Sequence, residues 1–327
     1  LVIRSRCPDT RRDTRHPRYS ASTQRLFWDP KKAAPNMSET SRNPRRALSR
    51  ALSRIANADV GETLAQATPA TNSALIRIGV TGPPGAGKST LIARLAKLRK
   101  GSRRKIAVLA IDPTSPVSQG SILGDRIRMD SIADDPDIFI RSIPSRRAHD
   151  GLTDNTADLL NAMEGHGFDE VILESVGVGQ AEYSIRTLVD TVVLVLLPES
   201  GDAIQAMKAG ILEMADIYVV NKADLPGAEL MAAEIEMVAQ RQSADGWTPP
   251  VIRTTRNDPD GFAELDAAIA SHAEWRVTHT NVDNIRRARA RYQAQGLIAR
   301  RVDEILEGDE SGLLDLDPRT LFRGSGS

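Results

Sequence analysis

The sequence is poor in the residues that most often bind transition metals or cross-link a chain. Cys7 is the single cysteine in 327 residues, so neither an intramolecular disulfide nor a zinc site made of cysteine pairs can form. The five histidines are scattered, and no two of them have the HxxxH spacing of a helical metal site. A protein that inserts metal ions through a Cys-rich or His-rich segment is therefore disfavoured.

The sequence also lacks an excess of charge and a long apolar run. Its 43 basic residues balance 43 acidic residues, which argues against a protein that coats nucleic acid or an anionic membrane. No apolar run reaches the roughly 18 residues of a membrane-spanning helix, and the longest run, residues 191–198, suits a buried strand. We expect neither nucleic acid nor a membrane among the partners of the protein.

The amino-terminal region lacks the apolar core of a secretory signal. Residues 1–36 are rich in Arg, Ser, Pro and Thr and poor in acids, so residues 1–43 are predicted to be a disordered tail or a targeting segment. Sequence upstream of a true start at Met37 would have the same character. We expect a cytoplasmic protein, or one of the mitochondrial matrix if residues 1–36 are a transit segment.

Strands and helices alternate through the middle of the chain. Several apolar runs are continuous, as in parallel strands that are covered on both faces. The pattern predicts an α/β fold, a doubly wound and mostly parallel sheet over residues 74–275. The predicted strands are Leu75–Thr81, Ile106–Ile111, Val171–Leu173, Thr191–Leu197, Ile217–Val220 and Pro250–Thr254, and the predicted helices are Lys88–Arg99, Asn155–Met163, Asp202–Met214 and Ala228–Gln240.

A helical extension is predicted on the amino-terminal side of this domain, in residues 44–73. Leu48, Leu52 and Ile55 recur at helical spacing, with arginines between them, and a linker at 68–73 follows. The doubled segment ALSR–ALSR is two turns of this helix, not a repeated domain.

A second extension is predicted on the carboxyl-terminal side, in residues 276–307. One face of this long helix is rich in arginine, and a stripe on the other face is apolar: Ile285, Ala288, Tyr292, Ile298, Val302 and Ile305. A helix of this length outside the core usually packs on another surface. Residues 308–327 are predicted to be a flexible tail.

The segment GPPGAGKST, residues 82–90, follows an apolar strand and opens a helix. It matches the P-loop pattern G-x-x-x-x-G-K-S/T, in which glycines let backbone N–H groups face a phosphate at a helix N-terminus. Lys88 is expected to reach the β- and γ-phosphates, and the Ser89 hydroxyl to bind Mg²⁺. The predicted nucleotide-binding residues here are Gly82, Pro83, Pro84, Gly85, Ala86, Gly87, Lys88, Ser89 and Thr90.

The segment IYVVNKADL, residues 217–225, is an apolar strand that ends in the pattern N-K-x-D. Asp224 would accept hydrogen bonds from the two donors of guanine, a pair that adenine does not offer, and an unpaired buried acceptor costs about 1–3 kcal/mol. Lys222 would cover the plane of the base, and Asn221 would tie this loop to the P-loop. The pattern predicts GTP and GDP as ligands.

Carboxylates end two further strands of the predicted sheet. Glu174 follows the apolar run at 171–173 and begins E-x-x-G, in which Gly177 would meet the γ-phosphate through its backbone N–H. Asp112 ends the second strand, and Asp125 lies beyond a Gly- and Ser-rich loop. Each of these three acids is a candidate to bind Mg²⁺ or to orient water, although Asp112 and Asp125, taken alone, fit a turn or capping role better.

With the P-loop, the segments AIDPTSP, GSILGDRIRM, ESVGVGQAE and LLPESGDAIQAMKAGILEMADIYVVNKADL give the chain a family resemblance. Over about residues 45–306 it resembles the SIMIBI class of P-loop GTPases, and more narrowly the methylmalonyl-CoA mutase-associated GTPase chaperones (MeaB/ArgK/MMAA). The resemblance implies a homodimeric GTPase that gates cofactor loading of an adenosylcobalamin-dependent acyl-CoA mutase and protects that mutase. It also implies contact with an adenosyltransferase.

The resemblance further assigns roles to named residues. It implies that Asp112, Asp125 and Glu174 are the Mg²⁺-binding and catalytic carboxylates. It implies that Asp202, Gln205 and Lys208 couple the nucleotide state to the mutase, and that residues 276–307 are a dimerisation arm.

The chain departs from the family pattern in two motifs, and its amino-terminal extension is short for the family. It has E-S-V-G-V-G-Q where E-T-V-G-V-G-Q is usual, which keeps a hydroxyl at Ser175. It has PSRRAHDGL at 144–152 where a glycine-rich loop of the switch region is usual, so partner specificity or switching can differ here.

Two alternative functions stay open on the sequence: a metal-insertion GTPase of the same class, and a P-loop kinase. The shortage of Cys and His argues against the first, and N-K-x-D without an obvious acceptor site argues against the second. For a GTPase, we expect water to attack the γ-phosphate while Lys88 and Mg²⁺ neutralise charge. Glu174, with Asp112 or Asp125, would organise the metal and the water.

Overall fold

A computed structural model of the chain describes residues 44–66, 75–101, 104–112, 129–145, 152–153, 155–175, 181–198, 212–241 and 246–308. These residues belong to one compact unit. Several predicted features lie outside the described residues, namely the tail 1–43, the linker 68–73, Asp125, Gly177, Asp202, Gln205, Lys208 and residues 309–327.

The core of the described chain is a seven-stranded sheet in which every pair of neighbouring strands is parallel. The strands are β1 Ile76–Thr81, β2 Ile106–Asp112, β3 Ile138–Pro144, β4 Glu170–Glu174, β5 Thr191–Leu196, β6 Ile217–Asn221 and β7 Val251–Thr254. Their order across the sheet is β3-β2-β4-β1-β5-β6-β7. The predicted doubly wound α/β fold is confirmed, and the sheet is wholly parallel within the described residues.

Helices cover both faces of this sheet. They are α1 Pro44–Asn57, α2 Val60–Gln66, α3 Lys88–Lys100, α4 Asp130–Ala133, α5 Thr156–Gly165, α6 Ala181–Leu188, α7 Ala228–Arg241, α8 Asp260–His279 and α9 Val282–Glu307, with a short 3₁₀ turn at Leu212–Met214. Among the described residues, none of these helices has both the length and the apolar character to span a membrane. The predicted end of the central domain, residue 275, lies inside helix α8.

Successive residues of the strands face opposite sides, and both sides are apolar. Along β2, Ile106 and Val108 pack in one core cluster with residues of α3 and α8, while Ala107 and Leu109 pack in another with residues of α1, α5 and α6. All seven residues of β2 are buried. This two-sided burial explains the continuous apolar runs of the sequence.

Strand β3 and the helices α2, α4, α6 and α8 were missed by the sequence analysis. In β3 the apolar run is broken by Arg141 and Ser142, and four of its residues are only partly buried, as suits a strand at the edge of the sheet. Helices α2 and α4 are one to two turns long, too short for a periodic pattern to stand out. Of the predicted helix at 202–214, the structure describes only residues 212–214, in the 3₁₀ turn.

The amino-terminal helix α1 is fastened to β3 by the doubled ALSR segment. Leu48 and Leu52 are buried in the core cluster beneath it. The guanidinium of Arg141 donates to Ser49 Oγ at 3.0 Å and to Ser53 Oγ at 2.6 Å. Each copy of the repeat thus supplies one leucine to the core and one serine to the same arginine.

The long helix α9 contacts the rest of the domain along both halves, and its carboxyl-terminal half also exposes apolar side chains. Tyr292 packs against the core cluster, and Gln293 Nε2 donates to Asp158 Oδ1 at 2.6 Å. Ile298, Val302 and Ile305 are 66%, 49% and 49% exposed. The predicted apolar stripe is therefore divided between a packed part and an exposed part.

Acids stand directly before three strands, at the amino edge of the sheet. Asp190 Oδ2 accepts from the Arg77 amide at 2.9 Å, Asp216 Oδ2 from the Val192 amide at 2.8 Å, and Asp169 Oδ2 from the Lys105 amide at 2.8 Å. These carboxylates therefore bond backbone N–H groups where neighbouring strands begin.

Basic side chains and a histidine contact the acids of the amino edge. Glu170, fully buried, accepts from Arg99 Nε at 2.6 Å and also contacts Arg104. Asp190 lies 2.8 Å from both Arg276 and Arg289. The buried ring of His272 contacts Thr191 Oγ1 at 2.9 Å through Nδ1 and Asp216 Oδ1 at 3.3 Å through Nε2.

Candidate functional site

The P-loop connects β1 to α3 and approaches its neighbours so closely at two of its glycines that a side chain would not fit. Gly82 and Gly87 have φ of 140° and 86°. A Cβ atom added at Gly82 would lie 2.0 Å from the carbonyl oxygen of Val195, and one added at Gly87 would lie 2.5 Å from Asn221 Nδ2. The glycines therefore allow the loop to pass close to β5 and β6, beside the first turn of α3.

Lys88 begins helix α3 and turns back over the loop. Its Nζ donates to the carbonyl oxygens of Gly82 at 2.7 Å and Pro83 at 3.1 Å. The residue is only 8% exposed. An ammonium group held at the mouth of the loop, next to the positive end of a helix, is suited to a phosphate. Of the other predicted P-loop residues, Ala86 and Ser89 are buried, while Pro84, Gly85 and Thr90 are exposed.

Ser89 and Glu174 are brought together at the end of β4. Ser89 Oγ donates to Glu174 Oε1 at 2.8 Å, and both residues are almost fully buried. Strand β2 pairs with β4, so that Ala110 lies opposite Glu174 and Asp112 ends the strand two residues later, 2% exposed. Two carboxylates and a hydroxyl therefore collect at the carboxyl edge of neighbouring strands.

This set of oxygen donors fits Mg²⁺, which prefers carboxylate and hydroxyl ligands together with phosphate oxygens. The described members are Ser89, Asp112 and Glu174; Asp125, the fourth predicted ligand, lies outside the described residues. Within the described ranges, no group of three His, Cys, Asp or Glu side chains forms a metal site of its own. The altered loop at 144–152 begins beside Asp112, whose carbonyl oxygen accepts from the Ser145 amide at 2.7 Å.

Asn221, the last residue of β6, links the P-loop and β7 at this edge. Its Nδ2 donates to the carbonyl oxygen of Ala86 in the P-loop at 2.7 Å. Its Oδ1 accepts from Thr254 Oγ1, at the end of β7, at 3.0 Å. Because the P-loop contact was predicted and the Thr254 contact was not, Thr254 is a residue that the sequence analysis missed. The sequence signal for it is a threonine at the end of the predicted strand 250–254.

Lys222 and Asp224 stand on the loop that follows β6, and both are exposed. Lys222 has a φ of 55°, the one positive value among the described residues other than glycine. The turn is closed by the Leu225 amide, which donates to the Lys222 carbonyl oxygen at 2.9 Å, and tied to β7 by the Ala223 amide, which donates to the Thr254 carbonyl oxygen at 3.1 Å. This strained and anchored turn presents the two predicted base-contacting side chains to solvent.

A second missed pair lies where β4 leaves the sheet. Ser175 Oγ donates to Thr81 Oγ1 at 2.7 Å, and both residues are 1% exposed. Thr81 is the last residue of β1, directly before Gly82. The contact joins the strand end that carries Glu174 to the strand end that carries the P-loop.

Most of the predicted site residues therefore lie at one edge of the sheet. The ends of β1, β2, β4 and β6 hold the P-loop, Asp112, Glu174 and Asn221, in the crevice where parallel α/β sheets bind ligands. The geometry offers backbone donors, one buried lysine, carboxylates and an exposed base loop, which together suit a nucleoside triphosphate with its metal.

Comparison with known proteins also indicates a GTPase. Residues 46–310 match the family described as methylmalonyl Co-A mutase-associated GTPase MeaB. The chain is 39% identical over 276 residues to a protein of Pyrococcus abyssi that is named as a GTPase, which covers 81% of this chain and 85% of that protein. It is 38% identical over 194 residues to the mitochondrial methylmalonic aciduria type A homolog of Mus musculus, covering 58% of this chain and 47% of that protein.

A solved structure supports the fold. The protein described as an LAO/AO transport system kinase has a TM-score of 0.56 with 23% sequence identity, over 85% of this chain and 96% of that chain. At this identity the likeness concerns the P-loop α/β architecture alone. The family match and the relative over most of its length together show that the chain belongs to the MeaB family of methylmalonyl Co-A mutase-associated GTPases.

Proposed function

We propose that this GTPase is a chaperone of an adenosylcobalamin-dependent acyl-CoA mutase, gating the loading of its cofactor and protecting it from inactivation. The observation that carries the proposal is the match of residues 46–310 to a family named for its association with methylmalonyl-CoA mutase. The mouse relative, named for methylmalonic aciduria, supports the same partner class. An adenosyltransferase is the second partner that cofactor loading requires.

In this proposal the carboxyl edge binds GTP in two places. The P-loop from Gly82 to Thr90 surrounds the phosphates, and Lys88 moves from the carbonyl oxygens of Gly82 and Pro83 to the β- and γ-phosphates. Asp224 accepts from guanine, Lys222 covers the base, and Asn221 holds the two loops together. Gly177 contacts the γ-phosphate through its amide.

Hydrolysis then follows from the placement of the chain's own groups. The oxygen of a water molecule bonds to the γ-phosphorus, the bond to the β,γ-bridging oxygen breaks, and its electron pair leaves with GDP. The protons of the water end on the phosphate product and the solvent. Glu174, with Asp112 or Asp125, orients the water, and Lys88 neutralises charge on the phosphoryl group.

Ser89, Asp112, Asp125 and Glu174 are the residues proposed to hold Mg²⁺. When bound, the ion neutralises charge on the β- and γ-phosphate oxygens. The contact of Ser89 Oγ with Glu174 at 2.8 Å supports this assignment, because it places a hydroxyl and a carboxylate within reach of one cation.

We infer that the isolated protein hydrolyses GTP slowly and that the mutase accelerates it. The sequence places no arginine at a known finger position of this class, and such an arginine is worth about 10³–10⁵ in rate. Single-turnover hydrolysis with and without a candidate mutase tests this point. An isolated protein that already turns over at the rate of the complex would contradict it.

A homodimer formed through residues 276–307 is part of the same proposal. The exposure of Ile298, Val302 and Ile305 on α9 supports it, since contiguous apolar residues on a helix suit a partner surface. Light scattering of the wild type and of an Ile298→Ser/Val302→Ser variant measures the effect: the wild type is expected to be dimeric and the variant monomeric.

Lys88→Ala is the first test of the site. Loss of the ammonium group is expected to weaken GTP and GDP binding by about 100-fold or more, because charge-assisted contacts to phosphate are strong. Lys97→Ala, an exposed lysine of the same helix, is the matched control and should bind as the wild type does. Calorimetry with GTP and with ATP measures both variants. An unchanged GTP affinity in Lys88→Ala would refute the phosphate assignment, and equal affinity for GTP and ATP in the wild type would refute the base assignment.

Asp224→Asn is the second test. The variant is expected to lose affinity for GTP by about 10-fold or more and to accept xanthosine triphosphate, because an amide can donate to the second carbonyl oxygen of xanthine. Glu229→Gln, an exposed acid on the first turn of α7, is the control. An unchanged nucleotide choice in Asp224→Asn would remove Asp224 from the base site.

The same titrations separate the alternative functions. A metal insertase would bind a transition-metal ion in competition assays, and a kinase would place the γ-phosphoryl group on an acceptor molecule. Formation of one inorganic phosphate per GTP, with no phosphorylated product and with a rate set by the mutase, is the result expected here.

A further inference from the structure

A buried pair of hydroxyl groups connects the two strand ends that carry the phosphate loop and the proposed catalytic carboxylate. The pair is Ser175 and Thr81, whose side-chain oxygens lie 2.7 Å apart. We propose that Ser175 is a positioning residue for Mg²⁺: it holds Glu174 in register with the P-loop so that Glu174 and Ser89 can share one cation. The proposal rests on the proposed GTP and Mg²⁺ site.

The backbone brings the two residues together. In the β1–β4 pair, Val80 lies opposite Glu174. The ladder continues one residue beyond β4, because the Ser175 amide donates to the Val80 carbonyl oxygen at 3.2 Å. The side-chain contact with Thr81 therefore lies one residue past the last strand pair, where the backbone of β4 is about to leave the sheet.

Glu174 is the residue that this contact controls. It is the last residue of β4, and its carboxylate reaches Ser89, the first turn of α3, at 2.8 Å. Glu174 and Ser175 thus make two adjacent contacts at the P-loop, one with Ser89 near its carboxyl-terminal end and one with Thr81 directly before it. Removal of the second contact frees the strand end to rotate, which changes the distance between the Glu174 and Ser89 oxygens.

The hydroxyl contact is not needed to hold β1 in the sheet. Thr81 is already paired with Leu194 of β5, and the following residue Gly82 lies against the Val195 carbonyl oxygen. A packing role would need the volume of the two side chains, whereas a positioning role needs their hydrogen bond. Replacing both partners of a buried hydrogen bond by apolar groups of similar shape is nearly neutral for stability. The paired substitution Ser175→Ala/Thr81→Val therefore separates the two roles.

The test measures Mg²⁺ binding to the complex with a fluorescent N-methylanthraniloyl derivative of GDP. The Mg²⁺ concentration at half-maximal response is expected to rise about 5-fold in Ser175→Ala, in Thr81→Val and in the double variant alike, since all three remove the same bond. Affinity for the nucleotide in excess EDTA should stay within about 2-fold of the wild type. Ser175→Thr keeps the hydroxyl and should show the Mg²⁺ response of the wild type.

The outcomes distinguish this inference from the function on which it rests. If the wild type does not bind the guanine nucleotide, the proposed function fails. If the wild type binds it and responds to Mg²⁺, an unchanged Mg²⁺ response in Ser175→Ala overturns the inference. Equal weakening with and without Mg²⁺, or additive effects of the two substitutions, would also overturn it, since both results indicate separate structural roles.

Discussion

The two edges of the sheet both collect acidic residues, but they use them differently. At the amino edge, Asp190 and Asp216 precede strands and bond the amides of Arg77 and Val192 as well as basic side chains. At the carboxyl edge, Glu174 is the last residue of its strand and accepts from the Ser89 hydroxyl, at the start of the P-loop helix. An acid directly before a strand accepts hydrogen bonds from backbone amides, and an acid at the carboxyl end of a strand faces the ligand crevice.

The side-chain contacts that hold the two edges together also differ. The amino edge is held by charge pairs such as Arg99 with Glu170. The carboxyl edge is held by neutral contacts, which join Ser175 to Thr81 and Asn221 to both Ala86 and Thr254. Neutral hydrogen bonds fix a position without adding charge beside a phosphate. Substitutions at the amino edge should therefore change stability, and those at the carboxyl edge should change ligand binding or hydrolysis.

Strand β4 offers the sharpest test, because it carries a glutamate at each end. Glu170→Gln removes the buried charge partner of Arg99, which then keeps only the partly exposed Asp266, and a broken buried pair costs about 3–5 kcal/mol of unfolding free energy. Glu174→Gln should cost less than about 1 kcal/mol of stability but lower GTP hydrolysis about 100-fold. Urea unfolding and single-turnover hydrolysis measure both variants.

A reversed result would break the comparison. If Glu170→Gln impaired hydrolysis in a well-folded protein, or if Glu174→Gln mainly unfolded the protein, the two edges would not divide stability from chemistry.

His272 gives the amino edge a pH dependence. Burial lowers the pKa of His272 from 6.5 to about 4, although Asp216 opposes the shift. Between these values the unfolded chain binds more protons than the folded one, so stability is complete above the unfolded pKa and is lost as pH falls towards the folded pKa. The expected loss is about 2 kcal/mol between about pH 7.5 and about pH 5.

Urea unfolding at several pH values measures this effect, and comparison with a variant separates it from that of the acids that titrate in the same range. The His272→Gln variant should therefore show a smaller decrease than the wild type by about 2 kcal/mol. His166→Gln is the control and should follow the wild type, because this exposed histidine lies directly after α5 and its ring, among the described residues, bonds only the carbonyl oxygen of Ala162 in the last turn of that helix. Identical pH profiles for wild type and His272→Gln would contradict the prediction.

The smallest effect is expected at Thr254, on the carboxyl edge. Thr254→Val removes the donor to Asn221 Oδ1, and a hydrogen bond of this kind contributes about 1 kcal/mol, which corresponds to about 5-fold in GTP affinity. The affinity should fall while the unfolding midpoint stays near that of the wild type. Thr254→Ser retains the hydroxyl and should bind as the wild type does. A loss of stability without a change in affinity would place Thr254 in the core alone.

The sequence predicted the buried strands, which show as continuous apolar runs, and the phosphate loop, which matches a known motif. Continuous apolar runs gave six strands, and the position of Glu174 after such a run indicated its edge of the sheet. Strand β3 was missed because an edge strand admits Arg141 and Ser142. The Ser175–Thr81 pair lies 94 residues apart in the chain, and no local pattern records which two strands are neighbours.

Helix α1 shows how a repeated sequence can still dock in a single way. A shift of one turn would lay one ALSR copy where the other now lies and would keep a leucine in contact with the core. The guanidinium of Arg141 would then donate to only one serine, because Arg45 would occupy the place of Ser49. Arg45 would also lose the carbonyl oxygens of Asp135 and Ile138. The residues that do not repeat therefore decide the alignment of those that do.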